Sequence, residues 1–72
     1  MKLSTAINKA SVVYATVNIA NNGCSIQISK PVARRAVDEF LPYEMNEDGH
    51  FTDCYDGTIA WYDEANNELY LG

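Results

Sequence analysis

Asn22-Gly23 restricts this chain more than any other pair of residues. The dipeptide suits a two-residue type I′ turn, whose central positions both need positive φ, and it stands between two runs of alternating apolar and polar residues. With Asn22 and Gly23 as the loop, Ile19 faces Ile26 and Val17 faces Ile28 on one side. Asn18 then faces Gln27 and Thr16 faces Ser29 on the other. A slip of one residue would mix the two sides, so turn and pattern agree on a hairpin.

Ser29-Lys30-Pro31 follows as a helix start, a capping hydroxyl ahead of a proline in the first turn. The predicted helix runs from Pro31 to Leu41, with Val32, Ala33, Ala36, Val37, Phe40 and Leu41 on its apolar stripe, and Pro42 ends it. Asp56-Gly57 repeats the hairpin signal and sets Cys54 across from Ile59 and Thr52 across from Trp61. A last three-residue turn, Glu64-Ala65-Asn66 with Asn66 left-handed, places Trp61 opposite Leu69 and Ile59 opposite Leu71. On that register Cys54, Ile59, Trp61, Leu69 and Leu71 form the core stripe. Phe51, Asp53, Tyr55, Thr58, Ala60 and Tyr62 point outward.

The expectation is an α+β fold of order ββαβββ, one helix on an antiparallel sheet, with residues 1–72 as a single domain. Its core would rest on Ile19, Ile26, Val37, Phe40, Ile59, Trp61 and Leu69. The stretch Leu3 to Ala10 fits either a short helix capped by Ser4 or a lead into the first strand. With 72 residues, 47% of them hydrophobic, the chain is long enough for one small core and too apolar for a disordered acidic tail. A core of this size supplies about 3–5 kcal/mol net. No run approaches a membrane span, and Met1-Lys2-Leu3 does not open a signal peptide, so a cytoplasmic location is expected. In that compartment Cys24 and Cys54 are expected as buried small hydrophobes.

Chemistry-bearing constellations are weak. Glu44-Met45-Asn46-Glu47-Asp48-Gly49 resembles the opening of an EF-hand calcium loop, but Tyr55 stands where the bidentate glutamate belongs. A polar helix-to-strand turn is the expectation there. His50 and Cys54, four apart on a strand, would lie about 13 Å from each other, too far for one zinc ion. On a core face among acidic neighbours, Cys54 would be a poor nucleophile. Neither metal, cofactor nor catalysis is expected.

Charge says more. All five Lys and Arg residues lie at or before Arg35, and all ten Asp and Glu residues lie at or after Asp38, with a net charge of −5. Such a field disfavours nucleic acid and anionic membrane as direct partners. The acidic half also holds most of the aromatic residues. Phe51, Tyr55 and Tyr62 share a face with Asp53, and with Asp56, Asp63, Glu64 and Glu68 also on or beside the meander they would make a surface for a basic protein partner. In size and charge the chain is similar to the small acidic inhibitors encoded by phages and mobile elements, including anti-CRISPR and anti-restriction proteins. That similarity implies an inhibitor acting in a host cytoplasm by occupying a nucleic-acid-binding groove. The alternative is a homodimer that buries Phe51, Tyr55 and Tyr62 in a two-fold interface.

Overall fold

The first ten residues are helical. In the computed structural model, which describes residues 1–20, 22–55 and 57–72, α1 spans Leu3–Lys9. Leu3 and Ile7, and Ala6 and Ala10, are four apart and bury one face of it. Lys2, not Ser4, occupies the capping position and offers no side-chain bond. The free amides are satisfied from elsewhere: Leu3 N–H donates to the Tyr43 carbonyl at 2.9 Å and Ser4 N–H to that of Leu41 at 3.1 Å.

Among the described residues five strands follow, β1 (Val12–Ile19), β2 (Asn22–Ile28), β3 (His50–Thr52), β4 (Thr58–Asp63) and β5 (Glu68–Leu71), with α2 (Lys30–Ala36) between β2 and β3. They form one sheet in the order β2-β1-β5-β4-β3. The pair β1/β5 is parallel and the others are antiparallel, so the fold is α+β with a mixed sheet. Both helices lie on one side. Leu3, Ala6, Ile7, Ala10, Ala33 and Val37 from the helical side form one buried cluster with Val13, Phe51, Ala60, Tyr62, Leu69 and Leu71 from the sheet.

Several expectations are corrected. The first hairpin pairs Val13 with Ile28, Val17 with Cys24 and Ile19 with Asn22, so Asn22-Gly23 lies inside β2 rather than at the turn. Asn21 and the side chains of Asn18 and Ile19, hence Ile19 as a core residue, lie outside the described residues. Ala20 takes φ 50, a region an alanine enters at a cost of about 1–2 kcal/mol. What offsets it is ladder length. A turn at Asn22-Gly23 leaves the five residues Cys24 to Ile28 to pair, whereas the observed register pairs seven and brings Ile28 beside Val13.

Ser29 caps α2 as expected, its hydroxyl accepting from Val32 N–H at 3.3 Å. The helix stops at Ala36 rather than Leu41, because Val37 leaves helical geometry (φ −120°, ψ 29°) and Asp38–Phe40 form a 3-10 turn. That break directs the Leu41 and Tyr43 carbonyls at the start of α1.

The largest correction is in the meander. The β4–β5 loop has four residues, Glu64 to Asn67, and Asn67 rather than Asn66 is left-handed at φ 52. Leu69 therefore pairs with Tyr62, and Leu71 with Ala60. Pairing of β3 with β4 sets His50 opposite Trp61 and Phe51 opposite Ala60. Phe51 and Tyr62 point into the core, fully and almost fully buried, while Trp61 faces out at 39% exposure. Cys54 has left the strand and Cys24 sits on the outer strand; both are exposed free thiols. Ile26 is exposed too, and Phe40 and Ile59 pack only partly against the core.

Candidate functional site

The sheet face opposite the helices is uncovered among the described residues, and its side chains follow the strand register in three bands. The middle band is a row of rings. Tyr14 on β1 stacks on Tyr70 of β5 with centroids 5.2 Å apart. Tyr70 stacks on Trp61 of β4 at 5.0 Å, and Trp61 on His50 of β3 at 6.2 Å. Interplanar angles lie between 14° and 19°, so the rings overlap like tilted tiles, each shielding part of its neighbour's face. Such offset stacking contributes about 0.5–1.5 kcal/mol per pair. His50 is fixed at the end of the row, its Nδ1 3.4 Å from the Thr58 hydroxyl oxygen.

On one flank of the rings Asp63 of β4 and Glu68 of β5 stand directly opposite each other. Glu68 accepts a hydrogen bond from the Tyr70 hydroxyl at 2.9 Å. That bond, then partial desolvation and the charges of Glu68, Tyr14 and Asp63, raise the Tyr70 pKa above the usual tyrosine value. Asp63 accepts from the Asn66 side-chain amide at 2.8 Å. Like charges placed opposite on neighbouring strands repel, and the chain does not neutralise them. Among the described residues the one ion pair joins the Met1 amino group to Glu44 at 3.1 Å. Lys30 instead donates to the Asn8 carbonyl at 2.7 Å, and Lys9 lies over the Tyr62 ring.

On the other flank is an open groove of about 520 Å³, lined by the hydroxyls of Thr16, Ser25 and Thr58 and walled by Trp61 and Tyr70. The face thus reads carboxylates, rings, hydroxyls from one end of β4 to the other.

The residues predicted from sequence divide among three places. Asp63 and Glu68 join the open face, with Glu64 exposed in the adjoining loop. Phe51 and Tyr62 are excluded from any surface by burial; the Tyr62 hydroxyl bonds to the Asn67 side chain inside the molecule. Asp53 and Tyr55 sit in the β3–β4 loop at the far end of β4, about 17 Å away for five strand steps. There the Asp53 carboxylate accepts from Tyr55 N–H at 2.9 Å and Gly57 N–H at 2.8 Å, so its role is to shape the loop, while Tyr55 is 89% exposed. Asp56 lies outside the described residues. Tyr14, Trp61, Tyr70 and His50 were missed, because the expected register turned Trp61 inward. A signal existed: the alternative register aligns His50, Trp61 and Tyr70 in one row.

The Glu44–Gly49 segment forms a polar turn around Asn46, whose side-chain oxygen accepts from Asp48 and His50 N–H, both at 3.0 Å. Among the described residues no three His, Cys, Asp or Glu side chains converge, and no helix is long and apolar enough to cross a membrane. Comparison with known protein families, with curated proteins and with solved structures finds no match in any of the three.

Proposed function

We propose that this chain is a non-catalytic, protein-binding inhibitor whose open sheet face docks on a basic, nucleic-acid-binding groove of another protein. The observation that carries this is the pair Asp63 and Glu68, opposed, not neutralised by the chain and set against a row of stacked rings. A lone domain pays electrostatically for that arrangement, and a Lys- or Arg-lined partner relieves it. The rings supply apolar anchors with polar tips. Because their faces are largely occupied by one another, they offer little for stacking of nucleic-acid bases, which a chain of net charge −5 also repels. The partner in this reading is a defence complex that handles nucleic acid, the target class of the phage and mobile-element inhibitors that the chain resembles in size and charge.

The test is affinity capture from the native cell, followed by binding measurements on the captured partner with and without its DNA or RNA. Asp63→Lys and Glu68→Lys should slow association and flatten its salt dependence, since screening acts over about 8 Å at physiological ionic strength. Trp61→Ala should speed dissociation. Simultaneous binding of partner and nucleic acid, or unchanged affinity after charge reversal, overturns the proposal.

A further inference from the structure

The two edges of the sheet are built differently. β3 is three residues long, carries a register shift at Phe51/Thr52 and runs into the loop shaped by Asp53. Those are the features that guard an edge strand against pairing. β2 has none of them. Its seven residues pair with β1 without a register shift, six are exposed and the seventh is half-buried. It contains no proline and no charged residue; none occurs anywhere between Lys9 and Lys30. Every second residue of such a strand directs its N–H and C=O outward with no partner.

We propose that β2 is the interface of a homodimer, pairing antiparallel with its copy about a two-fold axis at Ser25 to form a continuous ten-stranded sheet. Two arguments select a second copy as the occupant. The first is charge. All acidic residues lie at or beyond Asp38 and neither β2 nor β1 carries one, so the nearest strand-borne acid, Glu68 on β5, is two strand spacings or about 10 Å from β2. Two copies of a chain carrying −5 can meet at this neutral edge beyond the reach of most of their mutual repulsion, and a charged peptide finds nothing there to select it. The second is register. Ser25 is the middle of the strand, so the axis sets Cys24 against Ile26 of the partner subunit and Gly23 against Gln27 of the partner subunit. Cys24 and Ile26 meet on the helix side, with Asn22 against Ile28 at the ends, polar positions meet on the open side, and Ile26, now 45% exposed, gains cover. Both rows of rings then lie on the same side of one sheet. The dimer does not depend on the inhibitor function proposed above.

Sedimentation velocity across the micromolar range tests this. The parent should approach twice the 8.0 kDa chain mass with rising concentration. Ser25→Lys, which sets two ammonium groups against each other on the axis, should weaken association at least tenfold, with the melting curve unchanged at dilutions where the parent too is monomeric; Ser25→Thr should not weaken it. Asp63→Lys should keep the dimer, whatever it does to partner binding. Hydrogen exchange on the parent gives an independent check, since outward β2 amides should become protected as the dimer forms. A parent that stays monomeric, a dimer that survives Ser25→Lys, or β2 amides that exchange freely in the dimer would each overturn the proposal.

Discussion

The β1–β2 hairpin and the β3–β5 meander both depart from their expected registers, by four residues and by one, with opposite consequences. In the hairpin the partner of each residue moves by four, from Val17/Ile28 to Val17/Cys24. Four is even, so Val13, Ala15, Val17, Cys24, Ile26 and Ile28 still share one side. In the meander one added residue in the β4–β5 loop moves pairing by one. Leu69 and Leu71 stay in the core, but β4 turns over, and β3 turns with it because its side-to-side relation to β4 is unchanged. One residue in one loop thus exchanges Phe51, Ala60 and Tyr62 for Trp61 and Ile59 as the inward set. The parity of a register error, not its size, decides which residues become surface.

The sharpest way to break this comparison is to truncate one ring from each side of the meander. Phe51→Ala should cost about 3–5 kcal/mol and leave little folded protein. Trp61→Ala should cost about 1–2 kcal/mol, mostly lost stacking, and retain a cooperative melt. Thermal unfolding of both decides it; the reverse order would mean that β4 faces the other way.

Asn67 holds the added loop residue in place. Its carbonyl accepts from Ser11 N–H at 2.8 Å and Ser11 O–H at 2.9 Å, and its side-chain amide donates to the Lys9 carbonyl at 3.0 Å. Asn67→Ala should lose about 1–3 kcal/mol by removing the side-chain bonds at a left-handed residue. Chemical denaturation should show Asn67→Gly intermediate, since it keeps the backbone freedom. Equal stability of all three forms would remove Asn67 as the determinant of register.

In the hairpin the expected effects are smaller and of opposite sign. Ala20→Gly relieves a left-handed alanine, and Gly23→Thr places a strand-forming residue inside β2, so each should stabilise by about 0.5–1 kcal/mol. Loss of stability in Gly23→Thr, read from denaturant midpoints, would return the turn to Asn22-Gly23.

The smallest effect tests the open face. The Tyr70 proton is held more tightly in the folded state, chiefly by its bond to Glu68. The resulting stability is fully present below the ordinary tyrosine pKa of about 10 and is lost as pH rises through the higher folded value. Glu68→Gln should shift the Tyr70 phenolate transition, identified in an absorbance titration by its loss in Tyr70→Phe, back toward that ordinary value. No change would separate Glu68 from the row of rings.

The sequence by itself determined the α+β class, the capped start of α2 at Ser29, all three hairpins as pairings, and the concentration of unneutralised acids that includes Asp63 and Glu68. Each rests on a local rule: a hydroxyl ahead of proline, alternation with period two, or charge counted along the chain. Whether Leu3 to Ala10 is a helix, which of the adjacent rings Trp61 and Tyr62 points inward, and whether Asn66 or Asn67 turns left-handed were decided by the tertiary structure. Alternation fixes which residues share a side but not which side meets the helices, and two neighbouring aromatic residues, like two neighbouring asparagines, satisfy the local rule equally. The choice falls to contacts made across the chain. The Leu41 and Tyr43 carbonyls receive the amides of α1, the Lys9 carbonyl and Ser11 hold Asn67, and the buried cluster around Leu69 has room for Tyr62 once its hydroxyl is bonded.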